Sequence, residues 1–243
     1  MISIIVPTFN EARYLPGTLD AIQRNHSSRE VIVVDAGSSD GTVEIALERK
    51  TQLISSSVKQ RAAQMNLGAQ FARGNVFLFL HADTRLPQDA LTKIESALAN
   101  RCVVGGGFLR RYESPSWFLR GTCALAGIRT RLSGWFLGDQ AIFMRAEVFK
   151  ILSGFRELDL FEDLDFSRRM RREGPVVTLR SPVISSARRF SCPWRRTWLD
   201  LLLTLRYLGG ADPNQLAAKY CREFENLRRA EGVAVAANHV ISS

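Results

Sequence analysis

In the first hundred residues, short apolar segments alternate with segments whose apolar residues recur every three to four positions. The apolar segments are SIIVPTF, EVIVVD, QLISS and VFLFL, beginning at residues 3, 30, 52 and 76. Helical periodicity is found between them, near residues 15–22, 42–50, 60–73 and 88–100. Such alternation is typical of an α/β fold with a mainly parallel sheet flanked by helices. Gly74 is expected to end the third helix.

Beyond residue 100 the pattern is less regular. It predicts strands at 102–112 and 138–145, helices at 146–155 and 161–173, and a loop or short helices over a ligand site at 113–137. In the helix at 161–173 one side would be buried and the arginines would face solvent: Phe161, Leu164, Phe166 and Met170 against Arg168, Arg169, Arg171 and Arg172.

The C-terminal part of the sequence predicts two further helices, at 194–210 and 214–232. No internal repeat, low-complexity segment or clear linker interrupts the chain, so a single domain is expected.

Polar side chains cluster where three of the predicted strands end. The clusters are Thr8, Asn10 and Glu11; Asp35, Ser38, Ser39 and Asp40; and His81, Asp83 and Thr84. Ligands bind at the carboxyl ends of strands in such sheets, so acids at three successive ends indicate a shared ligand. Local structure is the alternative, because Asn10 or Asp83 could cap a helix and Asp35 and Asp40 could belong to turns.

The excess of positive over negative charge lies in the later part of the chain. Residues 101–206 hold 19 Lys and Arg against 10 Asp and Glu, which accounts for the whole net charge of +9. Nearly all of this excess is arginine, which binds phosphate through two parallel hydrogen bonds. The candidate partners are a phosphorylated small molecule, an anionic membrane surface or nucleic acid, with a merely solvated basic face as the alternative.

Several function classes are disfavoured by what the sequence lacks. The motifs GxGxxG, GxxxxGK[ST], HExxH and GxSxG are absent, which argues against dinucleotide, NTPase and common hydrolase sites. No apolar run has the length of a membrane-spanning helix, and no signal peptide is expected. The cysteines are scattered without a CxxC pair, as expected for thiols of a cytosolic protein: Cys102, Cys123, Cys192 and Cys221.

Four motifs in order along the chain resemble those of the family-2 glycosyltransferases. They are IIVPTFNE at 4–11, VIVVDAGSSDGT at 31–42, FLFLHADT at 77–84 and FEDLDFSRRMRREG at 161–174. RAAQMNLGAQFARG and GDQAIFMR are similar to a short, soluble bacterial branch of that family. The resemblance implies a GT-A fold that binds a nucleotide-diphospho-sugar and transfers the sugar with inversion. It divides the single domain, 1–243, into a nucleotide-binding half at 1–100, an acceptor and catalytic half at 101–187 and C-terminal helices at 188–243.

The resemblance also implies donor-binding residues. Pro7, Thr8, Asn10 and Glu11 would lie against the base and ribose of the nucleotide. Asp35 would accept a hydrogen bond from the ring N–H of the base, which we expect to be uracil. Arg61 would be a counter-charge near the diphosphate, although it could also be a surface arginine.

At the end of the fourth strand, the family's Asp-x-Asp motif holds a divalent cation on the donor diphosphate. Here the motif is His81-Ala82-Asp83. Asp83 matches the metal ligand, and Mn²⁺ or Mg²⁺ is the implied cofactor. His81 departs from the pattern and carries no fixed negative charge, so metal binding would be weaker and the role of His81 would be donor binding.

Inverting transfer needs a base that takes the proton of the acceptor hydroxyl. Glu162-Asp163 matches the Glu-Asp pair of the family, so Asp163 is the predicted base, with Asp165 in reserve. These acids would also favour a helix N-terminus, a role compatible with catalysis. Asp139 and Gln140 are predicted to contact the acceptor or the sugar.

The expected partners are a nucleotide-sugar donor and a small-molecule or lipid acceptor, without nucleic acid. The QxxRW element of processive synthases is absent, although Arg188, Arg189, Arg195 and Arg196 could reach a diphosphate or acidic lipids. The helix near Trp194 could lie at a membrane interface, or pack on the sheet or on a second subunit of a homodimer. The expected location is cytoplasmic, with peripheral contact at the inner membrane face left open.

Two other functions are compatible with the same residues. His81 is the feature that favours a non-catalytic nucleotide-sugar-binding protein. A sugar nucleotidyltransferase would share the sheet, but FNEARYLPG does not supply the Gly- and Arg-rich loop expected after its first strand.

Overall fold

The computed structural model describes residues 1–188, 190 and 193–220. Its strands are β1 (Ile2–Thr8), β2 (Arg29–Asp35), β3 (Gln52–Ser55), β4 (Val76–Phe79), β5 (Thr84–Arg85), β6 (Gly105–Glu113), β7 (Ile142–Arg145) and β8 (Val176–Ser186). Its helices are α1 (Leu15–Gln23), α2 (Thr42–Glu48), α3 (Arg61–Phe71), α4 (Ala90–Ala99), α5 (Trp117–Ser133), α6 (Ala146–Ile151), α7 (Glu162–Glu173) and α8 (Pro193–Leu208). A 3₁₀ turn, Gly138–Gln140, precedes β7.

The strands form one mixed, mostly parallel sheet in the order β3-β2-β1-β4-β7-β6-β8-β5. β1 pairs in parallel with β2 and β4, in a register that sets Thr8 beside Asp35. β7 runs antiparallel between β4 and β6, and β8 runs parallel to β6. The strand ends of the first half therefore meet the turn before β7 at one edge of the sheet.

Two apolar cores cover the two faces of the sheet. One contains Ile4 and Val6 of β1 with Leu15, Leu19 and Ile22 of α1 and apolar residues of α4. The other contains Ile5 of β1 and Val34 of β2 with side chains from α3, α6 and α7. Because β1 is buried throughout, its side chains supply both faces, which explains the uninterrupted apolar run in the sequence.

The predicted alternation of strands and helices in the first half is confirmed, but two of its details are wrong. α3 ends at Phe71, and the next residue, Ala72, is extended. Gly74 is not its left-handed cap: its N–H donates to the Ser3 hydroxyl at 2.8 Å, and a Cβ there would lie 2.6 Å from that hydroxyl. The alternative that Asp83 caps the next helix is also wrong, since Asp89 precedes α4.

The second half differs more from the sequence prediction. Residues 113–137 contain a single helix of 17 residues, α5, capped by the Ser116 hydroxyl. β8 is a long strand that the pattern did not predict. In α7, Leu164, Phe166 and Met170 are buried as predicted. Arg169 does not face solvent, because its guanidinium donates to the backbone carbonyls of Leu152 and Gly154.

The helix predicted at 194–210 corresponds to α8, and residues 213–220 are helical as predicted for the start of the last helix. The rest of that helix, with Cys221, and also Arg189 and Cys192, lie outside the described residues. Within the described part of the chain, no helix is both long and apolar enough to cross a membrane.

Candidate active site

The ends of β1 and β2 are joined through the Asp35 carboxylate. The Thr8 hydroxyl donates to Asp35 Oδ1 at 3.0 Å, and the Ser38 hydroxyl donates to the same oxygen. Asp35 Oδ2 accepts the backbone N–H groups of Gly37 and Ser38 at 2.9 and 2.8 Å. Asp35 is 4% exposed, and both of its oxygens already accept hydrogen bonds within its own turn. An N–H group of a nucleotide base would therefore have to replace one of these donors.

The loop after β2 is tied to the loop after β1 by Asn10. Its side-chain oxygen accepts the N–H of Ser39 at 2.9 Å, and its backbone N–H donates to the Ser38 hydroxyl at 2.8 Å. Asn10 has a φ of +54°, which asparagine tolerates better than most residues. Asn10 is not a helix cap, because α1 begins at Leu15. Pro7 is buried within β1, opposite Val34 of β2.

Glu11 and Asp83 are bridged by Arg188, which follows β8. The Arg188 guanidinium donates to both Glu11 oxygens, at 2.9 and 2.5 Å, and its Nε lies 3.1 Å from Asp83 Oδ2. Burial opposes the charge of Arg188, but the hydrogen bond to Glu11 and the charge of Asp83 outweigh it and raise the pKa of Arg188. The two acids therefore share one permanent counter-charge.

The other predicted motifs meet at a small cavity between β4 and α7. Its polar lining is Arg61, His81, Glu162 and Asp163, with apolar side chains of α3 and β4 beside them. Gly138 closes it: its N–H donates to Asp163 Oδ2, and a Cβ on it would lie 2.5 Å from His81 Nε2. His81 and Asp163 thus both lie next to Gly138 in the turn before β7.

The cavity perturbs the predicted base. Burial, and then the charge of neighbouring Glu162, raise the pKa of Asp163 from 3.8 to about 7. The N–H groups of Gly138 and Leu164 and the charge of Arg61 act in the opposite direction but do not outweigh burial. A carboxylate with a pKa near neutrality is suited to accept a proton at physiological pH.

Arg61 is not a surface arginine. It donates to Glu162 at 2.9 Å, and the side chains of the pair are 19% and 6% exposed. Asp165 does not line the cavity, because its oxygens pair with Arg156 at 3.1 Å and Arg169 at 2.8 Å. Of the two predicted acids, Asp163 therefore lies at the cavity and Asp165 does not.

Asp139 is the centre of a polar cluster beside the cavity. Its Oδ2 accepts from Arg110 at 2.6 Å and from the Tyr112 hydroxyl at 2.8 Å. Burial, and then the charge of Asp139, raise the pKa of Tyr112, so its proton is retained. Asp139 Oδ1 is buried and has no hydrogen-bond partner among the described residues, which leaves it able to accept from a ligand.

Gln140 is buried and holds the turn rather than lining the cavity. Its amide nitrogen donates to the Phe108 carbonyl at 3.0 Å, and its oxygen accepts the Leu137 N–H at 3.0 Å. Its predicted contact with acceptor or sugar stays a prediction.

Sequence reasoning did not single out Gly138, Arg110 or Tyr112. Arg188 was named only for its charge, since nothing in the sequence indicates that it meets an acid 177 positions away. The predicted residues form two neighbouring groups: Thr8, Asn10 and Asp35 with the Glu11–Arg188–Asp83 bridge, and His81, Asp163 and Arg61 around the cavity.

Solved structures show which fold the chain has. A mannosyltransferase from Pyrobaculum calidifontis, in complex with GDP-Man and Mn²⁺, is similar with a TM-score of 0.67 and 21% identity, over 91% of this chain and 64% of that one. S. aureus TarS 1–349, in complex with UDP-GlcNAc, is similar with a TM-score of 0.63 and 17% identity, over 76% of this chain and 58% of that one. The chain has the GT-A fold.

Sequence comparison gives the family. Glycosyl transferase family 2 matches residues 3–192, and the chain belongs to that family. A PGL/p-HBAD biosynthesis glycosyltransferase of Mycobacterium bovis is 32% identical over 197 residues, which are 73% of this chain and 72% of the relative. An undecaprenyl-phosphate 4-deoxy-4-formamido-L-arabinose transferase of Aeromonas hydrophila is 28% identical over 163 residues, 60% of this chain. This chain covers 48% of the length of the Aeromonas protein.

Proposed function

We propose that this protein transfers a sugar from a nucleotide-diphospho-sugar, with UDP as the nucleotide, to an acceptor hydroxyl with inversion. The observation that carries the proposal is the Asp163 carboxylate, whose pKa is raised to about 7 in a cavity beside the end of β4. The acceptor oxygen would form the new bond to the anomeric carbon as the nucleoside diphosphate leaves. Asp163 Oδ2 would receive the hydroxyl proton.

The groups around Asp163 support this role. The Gly138 N–H and the N-terminus of α7 fix its orientation, while Arg61 balances the charge of Glu162. A base fixed on a rigid helix start needs little reorganisation to reach the acceptor. Asp139, with one unsatisfied oxygen, would orient a hydroxyl of the acceptor or sugar.

The donor would bind along the ends of β1 and β2. Thr8, Asn10, Glu11 and Asp35 are connected by hydrogen bonds across the two loops, which makes that edge of the sheet preformed. The TarS structure contains UDP-GlcNAc and the Pyrobaculum structure GDP-Man, so both nucleotides belong in the test.

A divalent cation, Mn²⁺ or Mg²⁺, fits this site only together with the donor. No group of three or more His, Cys, Asp or Glu side chains that could hold a metal occurs among the described residues. Mg²⁺ is commonly held by one or two carboxylates plus substrate phosphates, which Asp83 and a diphosphate would provide. The cation would neutralise charge on the departing diphosphate. Arg188, which pairs with Asp83, would have to share or release that carboxylate.

We propose a lipid or other small molecule as the acceptor. The Aeromonas relative is named for undecaprenyl phosphate, which supports a lipid-linked acceptor.

A panel of donors tests the proposal. UDP-, GDP- and dTDP-sugars are added with and without Mn²⁺, and melting temperature and sugar release or transfer are measured. We expect UDP-sugars with Mn²⁺ to give the largest rise and measurable turnover. Asp83→Ala and Asp163→Asn should each abolish turnover, with donor binding retained in the second variant. Full turnover in both variants would overturn the mechanism.

A non-catalytic nucleotide-sugar-binding protein is the second candidate. The Arg188 bridge favours it, because a permanent cation already neutralises Asp83 and Glu11 without metal. Calorimetric UDP binding that is independent of Mn²⁺, with no turnover of any donor, would support this candidate.

A further inference from the structure

α5 exposes an apolar stripe along one face. Trp117, Leu125, Ile128 and Leu132 are 77%, 69%, 53% and 84% exposed. They are eight, three and four positions apart, a spacing that places them on one side of a helix. The opposite side packs on the protein through Leu119, Gly127 and Thr130.

α8 exposes a second stripe of the same kind. Trp194, Trp198, Leu201 and Leu205 are 59%, 57%, 47% and 58% exposed, and they are spaced by four, three and four residues. Leu203, on the other side of the helix, is 1% exposed. A helix that packed only on its own domain would bury its apolar side and expose its polar side.

The two stripes are linked through Phe118, whose ring lies 6.3 Å from that of Trp117 in the first stripe. The ring of Phe118, in α5, lies 4.9 Å from the ring of Trp194, centroid to centroid, and Trp194 lies 6.2 Å from Trp198. Large exposed apolar patches on soluble domains are usually binding surfaces.

Arginines outnumber acidic residues on this surface. Arg120 and Arg131 of α5 and Arg195 and Arg206 of α8 are exposed. α5 contains no acidic residue, and Asp200 is the single acid in α8. A partner that covers both helices must therefore offer an apolar region to the tryptophans and leucines and anionic groups to the arginines.

We propose that α5 and α8 together form a docking surface for an anionic lipid bilayer. Tryptophan and leucine would enter the boundary between head groups and acyl chains, and the arginines would pair with lipid phosphates. A protein partner would need acidic residues interspersed over an apolar face. A bilayer containing anionic lipid has both an apolar interior and anionic head groups.

This orientation would bring the bilayer next to the candidate active site. Thr130 of α5 contacts the Gln140 amide, and Tyr207 of α8 stacks on Phe161, the residue before α7, at 4.8 Å between ring centroids. The docking surface is nevertheless independent of the proposed reaction, because bilayer binding needs neither donor nor Asp163.

Vesicle flotation of the full chain, without nucleotide or metal, tests the proposal. We expect at least tenfold stronger binding to phosphatidylcholine vesicles with 30% phosphatidylglycerol than to phosphatidylcholine alone. Trp198→Ser/Leu205→Ser and Leu125→Ser/Leu132→Ser should each weaken binding about tenfold or more. The matched control is Leu47→Ser/Ile151→Ser, which removes equally exposed apolar side chains elsewhere and should change binding less than about twofold.

The charge is tested in the same assay. Arg120→Gln/Arg131→Gln should lower binding to anionic vesicles by about tenfold or more, since each cation near the surface contributes about fivefold. Arg101→Gln/Arg180→Gln, exposed arginines outside α5 and α8, is the control.

Two measurements keep the result decisive. Quenching of tryptophan fluorescence by brominated lipid in the unaltered protein would support insertion without any variant. Light scattering distinguishes a second copy as the occupant: a dimer that the same serine variants dissociate, with no vesicle binding, would overturn the proposal. Equal binding to neutral and anionic vesicles would overturn it as well.

Discussion

Asp163→Asn removes a carboxylate that the fold holds at a cost in stability. The folded protein raises the pKa of Asp163 from 3.8 to about 7, with burial as the main cause. Three pKa units correspond to about 4 kcal/mol of unfolding free energy, in order of magnitude. Asn keeps the shape of the side chain but carries no charge, so the variant lacks this penalty.

The sign of the pH dependence follows from the direction of the shift. Because the pKa is higher in the folded state, the folded protein binds the proton more tightly, and the penalty is absent below about pH 4. The penalty grows as the pH rises and levels off above about pH 7. Between pH 5 and pH 8 the wild-type protein should lose about 2 to 3 kcal/mol that the Asn variant does not lose.

Urea unfolding of both proteins at several values between pH 5 and pH 8 measures this difference. The variant also loses one hydrogen bond from Gly138 or Leu164, but that cost of about 1 kcal/mol is independent of pH. The slope against pH is therefore the diagnostic quantity. Asp159→Asn, which alters an exposed carboxylate, is the control and should follow the wild type.

The pH dependence of activity should report the same carboxyl group. If Asp163 is the base, kcat/KM rises about tenfold per pH unit below pH 7 and levels off above it. The Asn variant should keep less than about 1% of the activity at any pH. Parallel stability curves for the two proteins, or a wild-type rate that is flat from pH 5 to pH 8, would refute the reasoning.

Three further substitutions test the surroundings of the cavity. Gly138→Ala would place a Cβ 2.5 Å from His81 Nε2, so we expect kcat to fall at least about tenfold. Gly121→Ala, with open space around it, is the control for both kcat and melting temperature. Asp139→Asn breaks the mostly buried ion pair with Arg110 and should lower the free energy of unfolding by about 3 kcal/mol in chemical denaturation. A change below about 0.5 kcal/mol would contradict the burial of this pair. Arg188→Gln removes the counter-charge shared by Glu11 and Asp83. Mn²⁺ alone should therefore raise the melting temperature of this variant more than that of the wild type. An equal rise in the two proteins would show that the Arg188 bridge does not compete with metal.

The first half of the fold could be predicted because its signals are local. β1, β2 and β4 are buried on both faces, so their sequences are apolar without interruption, and polar residues begin where each strand leaves the core. The contact of Thr8 with Asp35 follows from two parallel strands in register. The motif order adds the family, and with it the expectation that Asp163 lies across from these strands.

The second half could not be predicted in the same way. α5 is apolar on its exposed side as well as on its buried side, and Gly121 and Gly127 weaken its helical pattern, so no polar face marks it as a helix. β8 contains Arg180 and Pro182, which break the strand pattern, and it pairs with β6 across an irregularity after Phe108. These elements are specified by tertiary packing rather than by local sequence.

The surroundings of the cavity explain why a histidine, His81, fits where the family motif has an aspartate. Glu162 and Asp163 already bring two carboxylates into that space, and Arg61 is the cation that pairs there. An aspartate at position 81 would add a third carboxylate next to Gly138 and raise the pKa of Asp163 further. An imidazole at position 81 adds no carboxylate to this space. His81 therefore lies beside Asp163 at the cavity, while Asp83, two residues later, pairs with Arg188.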